Sequence, residues 1–206
     1  NLRLSHNQLR GCIPDMIGKL NRLTHLDFHS NKLTGAIPEN ISKVKYLKTL
    51  WLNENTMNGS IPEGIGTLSA LSSLYLYDNK LSGSIPDTIA NLTNLNFLHL
   101  EMNRLVGSIP QGITALTKMI SLKLGDNELS GLIPVKLGRM KSLKTIEFFK
   151  NNLMGPIPTS LSKLTSLEVL LMSENALEGP LPDMSGLCNL KKCWLNSNKL
   201  NGSFGS

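Results

Sequence analysis

An asparagine recurs every 24 residues along this chain, and this spacing constrains the fold more than any other feature. A glycine stands four residues after each asparagine, and in the first eight units an Ile-Pro or Leu-Pro pair follows it. The last interval is shortened to 23 residues. The recurrent asparagines are Asn7, Asn31, Asn55, Asn79, Asn103, Asn127, Asn151, Asn175 and Asn198. Such a repeat predicts a solenoid in which stacked units bury a shared core that no unit could bury alone.

The stretch before each asparagine has the alternation of a β-strand. In "HLDFH", Leu26 and Phe28 fall on one face, while His25, Asp27 and His29 fall on the other. Each unit therefore predicts one short strand of a parallel sheet. Apolar residues every third position after the Ile-Pro pair predict a short helical or 3-10 turn, which supplies the return crossover.

The two recurrent small residues have structural interpretations. The asparagine amide can donate to and accept from backbone groups that a turn leaves unpaired, which predicts a hydrogen-bond ladder along the solenoid. The glycine is interpreted as meeting a backbone requirement that a Cβ would obstruct. Neither residue type is predicted to bind a ligand.

The unit "LTHLDFHSNKLTGAIPENISKVKY" has the skeleton L-x-x-L-x-L-x-x-N-x-L-x-G-x-I-P-x-x-I-x-x-L. It resembles the leucine-rich repeat, and its G-x-I-P element resembles the plant-type subclass. The resemblance covers nearly the whole chain. It implies an α/β repeat solenoid, a right-handed superhelix of about nine repeats. A parallel sheet would line its concave face, with short 3-10 or helical turns on the convex side.

Residues 1–206 are predicted to form a single solenoid domain that is a fragment of a longer chain. The N-terminus, "NLRLSHNQL", does not begin with Met and has no basic region followed by an apolar one, as a signal peptide would. Extracellular plant-type repeats usually have flanking cysteine pairs, and none is found here. We therefore expect the fragment to lack its N- and C-terminal caps.

Three columns of side chains, six, four and two residues before each asparagine, are predicted to face solvent on the concave side. These columns hold both tryptophans, two of the three tyrosines and three of the four histidines. Exposed aromatic residues grouped on a concave surface are typical of binding sites. The alternative is that they pack on one another across strands for stability alone. The predicted ligand-binding residues are His25, Asp27, His29, Trp51, Asn53, Tyr75, Tyr77, Phe97, His99, Glu101, Lys123, Glu147 and Phe149.

Aromatic residues flanked by polar ones suit a protein or peptide ligand, and equally an oligosaccharide. The resemblance implies the extracellular part of a receptor-like kinase or receptor-like protein, binding a peptide or a partner ectodomain such as a co-receptor. One alternative is a secreted binder of the polygalacturonase-inhibitor kind, which meets a cell-wall-degrading enzyme. Another is a structural repeat subunit of a larger assembly. Ice binding is least favoured, because it requires a flat array of short polar residues.

Other function classes lack support in the sequence. No G-x-S-x-G, P-loop, H-E-x-x-H or C-x-x-C motif is present, which predicts no enzyme and no cofactor. The strand rises roughly 13 Å from His25 to His29, too far for both to reach one zinc ion at about 2.1 Å, so no metal site is predicted. The net charge of +6 is scattered along the chain, which favours solvated surface over nucleic-acid binding. No run of about 18 apolar residues is present, so we expect no membrane contact by this segment.

The cysteines and glycosylation sequons bear on location. Cys193 falls in an inward column and is predicted to be a buried thiol, and extended chain would hold it roughly 15 Å from Cys188, beyond disulfide reach. The three cysteines therefore do not decide the redox compartment. Candidate glycosylation sites are Asn40, Asn58, Asn91 and Asn201. The sequons fit the extracellular or cell-surface location that the resemblance implies, while leaving an intracellular location open.

Overall fold

The strand predicted in each repeat forms directly before the recurrent asparagine. The computed structural model describes residues 1–202, in which nine of these strands pair in parallel and in sequence order as the main sheet. Each strand pairs with the next without a shift, so that Leu26, Leu50 and Leu74 lie side by side. The strands of the main sheet are Leu2–Arg3, His25–Asp27, Thr49–Trp51, Ser73–Tyr75, Phe97–His99, Ser121–Lys123, Thr145–Glu147, Val169–Leu171 and Lys192–Trp194.

The return segments follow the proline of each Ile-Pro pair. Within the described part of the chain there are seven 3-10 helices, and six begin directly after that proline. Proline suits this position because its fixed φ fits the extended N-cap backbone found there, with φ −68° and ψ 138° at Pro38. The helices are Asp15–Lys19, Glu39–Lys43, Glu63–Thr67, Asp87–Asn91, Gln111–Ala115, Leu137–Arg139 and Thr159–Lys163. They confirm the predicted short crossovers.

A second sheet, which the sequence did not predict, runs along the recurrent glycines. In residues 1–202 it has six parallel strands, and a separate two-stranded pair is formed by Arg10–Gly11 and Lys32–Leu33. Its strands are Ser82–Ser84, Arg104–Ser108, Glu128–Leu132, Asn152–Gly155, Ala176–Pro180 and Lys199–Asn201. Five of these six segments contain the recurrent Gly and one of them also contains Pro, and both residue types mask the strand signal. The glycines have positive φ, such as +74° at Gly83, which confirms their backbone role.

The core is one continuous apolar column that runs between the sheets and the 3-10 helices. Leu50, Leu74 and Leu98 have no exposed surface, and neither does Phe148. Leucine-rich columns of this kind stabilise a solenoid through contacts between neighbouring repeats. No helix in residues 1–202 is long and apolar enough to cross a bilayer.

The predicted asparagine ladder is present. The Asn55 amide nitrogen donates to the carbonyl oxygens of Phe28 at 3.0 Å and Leu52 at 3.1 Å. The side-chain oxygen of Asn55 accepts from the Leu33 N–H at 2.9 Å. The same pattern recurs at Asn79 and at later asparagines. Each amide thereby satisfies backbone groups of two repeats, which is why the residue recurs without exchange.

The residue before each asparagine has a left-handed backbone although it is never glycine. Glu54 has φ +55° and Asp78 has φ +52°, a region that non-glycine residues visit rarely. The bend lets two successive N–H groups reach the next repeat: the Glu54 N–H donates to Tyr77 at 3.0 Å, and the Asn55 N–H to Asp78 at 3.1 Å.

The prediction that Cys193 is buried is wrong. Its backbone pairs with Leu170 in the core column, but the residue is exposed because no further repeat within residues 1–202 covers it. Cys12 and Cys188 are also exposed, and all three cysteines are free in the part of the chain described.

Candidate functional site

The strand side chains that point away from the core form what we call the open face of the main sheet. The predicted binding residues lie on this face, and its middle column is continuous, with Asp27 beside Trp51, Tyr75 beside His99, and Lys123 beside Glu147. The unshifted register brings them together, because equivalent positions of successive repeats become neighbours about 4.8 Å apart.

Three rings on consecutive strands form what we call the aromatic stack: Trp51, Tyr75 and His99. Trp51 and Tyr75 lie parallel with centroids 5.4 Å apart, and Tyr75 and His99 lie parallel at 4.5 Å. Phe97 meets Tyr75 edge-on at 6.5 Å. The indole N–H of Trp51 donates to Ser73 at 3.0 Å. The stack is therefore half-buried and largely satisfied by its own neighbours.

Two predicted residues of the open face are not exposed to solvent. Asp27 is 6% exposed and Asn53 is 3% exposed, so the expectation that these positions face solvent is wrong for both. Asp27 is covered because Oδ1 accepts hydrogen bonds from His29, through Nδ1 at 2.6 Å and the backbone N–H at 3.3 Å. Its carboxylate thereby holds the His29 ring in place.

The two histidines of the "HLDFH" motif have different hydrogen-bond partners in the structure. Since a carboxylate only accepts hydrogen bonds, Nδ1 of His29 carries a proton. His6, which the sequence pattern left outside the site, has its Nε2 2.9 Å from Nε2 of His29, so one of these two nitrogens donates to the other. His25 instead pairs with Thr24 at 2.8 Å. Within residues 1–202 no group of three or more His, Cys, Asp or Glu side chains is placed to hold a metal ion.

Glu54 and Tyr77 close the N-terminal part of the open face. The Tyr77 hydroxyl donates to Glu54 at 3.0 Å, and Ser30 donates to the same carboxylate. The Ser30 hydrogen bond is the largest influence that lowers the pKa of Glu54. Burial, followed by the Glu54 hydrogen bond, raises the pKa of Tyr77 to about 12. Both groups are thus satisfied within the protein.

Glu101 differs from these residues. Its Oε2 is buried and has no hydrogen-bond partner among residues 1–202. Lys123, the nearby cation, is bonded to Glu147 at 3.0 Å. Burial raises the pKa of Glu101 to about 7, and burial together with Lys123 lowers the pKa of His99 to about 4. The centre of the open face therefore contains a carboxylate whose negative charge is poorly compensated.

Toward the C-terminus the open face has a cavity, the C-terminal slot, whose walls are Phe149 and Trp194 and whose floor is Leu171. Charged side chains also line it: Glu147, Lys150, Glu174 and Lys192. The cavity has a volume of about 660 Å³. The Phe149 ring lies over Gly125, where an added Cβ would come within 2.5 Å of a ring atom. Trp194 is 51% exposed, with the Lys192 ammonium 3.7 Å from its ring centroid.

Of the residues that line this slot, only Glu147 and Phe149 are among the predicted binding residues. Leu171, Lys192 and Trp194 were not among the predicted binding residues, although they stand in the same columns. The available signal was Leu171 itself, an apolar residue at a position that elsewhere is mostly polar or aromatic.

Comparison with known proteins identifies the repeat. The Leucine Rich Repeat family model matches residues 1–20, 22–44, 46–68 and 70–92. The ectodomain of the Arabidopsis thaliana membrane receptor kinase GASSHO1/SCHENGEN3, solved in complex with CASPARIAN STRIP INTEGRITY FACTOR 2, is 39% identical over 97% of this chain, with a TM-score of 0.95. The chain is built of leucine-rich repeats and is similar in fold to this plant ectodomain.

Two further leucine-rich-repeat structures are similar. The Arabidopsis receptor kinase HAESA, in complex with the peptide hormone IDA and the co-receptor SERK1, is 34% identical over 96% of this chain, with a TM-score of 0.90. A plant ice-binding protein is 33% identical over 97% of it, with a TM-score of 0.86. This chain spans 24% of the GASSHO1/SCHENGEN3 chain, 33% of HAESA and 65% of the ice-binding protein. No curated protein matches it significantly in sequence.

The candidate glycosylation sites lie away from the open face of this leucine-rich-repeat solenoid. Asn58 and Asn91 are exposed, and Asn40 is half-buried. Asn201 is exposed in the second sheet, but the serine of its sequon lies outside the described residues. Their modification stays a prediction.

Proposed function

We propose that this chain is a non-enzymatic recognition domain that binds an extended peptide on the open face. The proposal rests on the C-terminal slot, a cavity of about 660 Å³ with two aromatic walls, a leucine floor and charged side chains around it, on the same face as the predicted binding columns. A concave surface with apolar walls and a few charged groups is the usual form of a ligand site. The uncompensated carboxylate of Glu101 on the same face adds a polar determinant.

The physiological setting that we propose is the extracellular part of a plant receptor-like kinase or receptor-like protein. Support comes from the likeness to the HAESA and GASSHO1/SCHENGEN3 ectodomains, which were solved with a peptide hormone and with an integrity factor. A co-receptor ectodomain is proposed as a second partner, because the HAESA complex contains SERK1. An oligosaccharide is the alternative ligand for the aromatic residues.

Selection of a displayed random peptide library on the immobilised protein tests this function. We expect enriched peptides to lose at least tenfold in affinity for Phe149→Ala and Trp194→Ala. The matched control is Tyr46→Ala, because Tyr46 is 64% exposed and lies outside the open face. Equal binding by all three variants would refute the proposed site. The enzyme-inhibitor alternative predicts instead inhibition of a fungal polygalacturonase, which an activity assay measures directly.

Ice binding is a second candidate, supported by the similar plant ice-binding protein. Small exposed side chains form a row at 24-residue intervals beside the second sheet: Ala36, Ser60, Ser84 and Ser108. The row is short, because Leu132 and Pro156 interrupt it. An ice-recrystallisation assay decides this candidate: inhibition by the wild type that Ser84→Tyr abolishes would support it, and inactive wild-type protein would dismiss it.

A further inference from the structure

We propose that the peptide ligand places a basic side chain against Glu101 and a large apolar side chain in the C-terminal slot, four residues apart along the peptide. This inference rests on the proposed function and specifies the ligand. Three observations support it: an unpartnered carboxylate, an open apolar slot, and the distance between them.

The carboxylate of Glu101 is incompletely satisfied. Its Oε2 has no partner among the described residues, and Lys123 is engaged by Glu147 at 3.0 Å. A buried carboxylate without a partner is costly, and a cation or an N–H donor removes that cost. The pKa of about 7 reflects the same unfavourable environment. Because the residue is only partly buried, its carboxylate can turn toward a ligand ammonium or guanidinium group.

The charge of the surroundings also favours a basic ligand. The residues directly before the recurrent asparagine in the repeats on either side of Glu101 are Asp78 and Asp126, whereas Lys123 is neutralised by its ion pair with Glu147. The chain as a whole carries a net charge of +6. An acidic strip on a basic protein attracts cationic segments and disfavours acidic ones.

The C-terminal slot has room for a large side chain. Phe149 and Trp194 stand two repeats apart, on either side of the strand that carries Leu171. Two strand intervals are roughly 9.6 Å, and the Phe149 ring lies over Gly125, away from Leu171, which widens the opening further. The buried Leu171 floor is 6% exposed and excludes charged groups from the bottom. A large apolar side chain fits this space and these surfaces.

The spacing follows from the register of the main sheet. Three strand intervals separate the repeat of Glu101 from that of Leu171, which is roughly 14 Å. An extended peptide that crosses the strands advances about 3.3 Å per residue and covers this distance in four residues. Side chains at positions i and i+4 of an extended peptide also point to the same side.

The test is a selection of displayed random 12-residue peptides, analysed for residue pairs at every spacing. On wild-type protein we expect enrichment of Lys or Arg four positions from Phe, Trp, Tyr, Leu or Met. On Glu101→Gln the basic preference should disappear, and on Glu101→Lys it should become acidic. On Trp194→Ala the apolar preference should weaken at least tenfold. Glu178→Gln, an exposed glutamate of the second sheet, is the matched control and should select like wild type.

The outcomes separate the two proposals. If wild-type protein enriches no peptide that depends on the open face, the proposed function fails and this inference fails with it. If it enriches such peptides without the four-residue spacing, or with preferences that the Glu101 variants leave unchanged, this inference is overturned while the proposed function stands. Thermal melting of each variant shows that it is folded before its selections are interpreted.

Discussion

The aromatic stack and the C-terminal slot are built on the same repeat and the same sheet, yet one is closed and the other is open. In the stack, Trp51, Tyr75 and His99 occupy consecutive strands with centroids 5.4 Å and 4.5 Å apart. In the slot, Phe149 and Trp194 are separated by a strand that carries Leu171 and no aromatic ring. The difference lies in how the large residues are distributed among the strands.

Aromatic residues in a strand column therefore have two different roles, which depend on whether the rings stand on adjacent strands or two strands apart. Rings on adjacent strands are separated by nearly one stacking distance, so they fill one another's space and stabilise the sheet. Rings two strands apart leave a gap that a side chain of a ligand can enter. The two interpretations of the aromatic columns, binding and cross-strand packing, therefore apply to different parts of one face.

The largest expected effect separates the two regions by stability. Tyr75→Ala should lower the free energy of unfolding by about 2–3 kcal/mol, because it removes the middle ring of the stack. Trp194→Ala should cost less than about 1 kcal/mol, since that ring is 51% exposed. Urea denaturation followed by circular dichroism measures both. Similar losses in the free energy of unfolding for the two variants would show that the aromatic stack and the C-terminal slot do not differ in their contribution to stability.

A second prediction concerns pH and the two groups between the regions. His99, with its pKa lowered to about 4, contributes stability that is present above about pH 6.5 and is lost as pH falls toward 4. Glu101, with its pKa raised to about 7, contributes stability that is present below about pH 4.5 and is lost as pH rises through 7. Between these limits the two contributions oppose each other, each by about 2 kcal/mol.

Single substitutions should therefore reveal opposite slopes. Glu101→Gln leaves His99, so stability should rise with pH from 4 to 6.5. His99→Gln leaves Glu101, facing Lys123, Glu147 and Tyr77, so stability should fall from pH 4.5 to 7. Denaturation midpoints across this range provide the measurement. Parallel slopes in the two variants would show that burial does not control these groups.

A third prediction changes the shape of the slot from below. Gly125→Ala should cost about 1 kcal/mol and displace the Phe149 ring, because the new Cβ would lie 2.5 Å from a ring atom. Peptides selected on the wild type should bind this variant more weakly. Gly112→Ala is a control away from the open face, where the nearest atom to an added Cβ is 3.0 Å away. Unchanged binding by Gly125→Ala would show that Phe149 is not a wall of the site.

The smallest expected effect lies at the N-terminal edge of the open face. His6→Ala should cost about 0.5 kcal/mol, because it removes one exposed hydrogen bond to His29. The proton on Nδ1 of His29 should remain, since Asp27 accepts it at 2.6 Å. Nitrogen chemical shifts of the imidazole report the tautomer, and a switch to Nε2–H in the wild type would contradict the assignment.

The periodicity alone was enough to predict most of the architecture. An asparagine every 24 residues, alternation before it and proline after it correctly predicted the parallel main sheet, the 3-10 crossovers and the asparagine ladder. Repetition supports such a prediction, because the same strand pattern and the same asparagine recur in nine successive units. The second sheet was not predicted, because most of its strands contain Gly or Pro, and the backbone roles of these residues conceal the strand pattern.

The sequence by itself therefore determined the fold and the columns of the candidate site. Only the tertiary structure decided which side chains within a column remain available to contact a ligand. Asp27 became buried because His29 covers it, His6 joined the site through a left-handed bend, and Glu101 lost its partner because Lys123 bonds to Glu147. The physical reason is that availability depends on side-chain size and charge on neighbouring strands, which are 24 residues apart in sequence and about 4.8 Å apart in space.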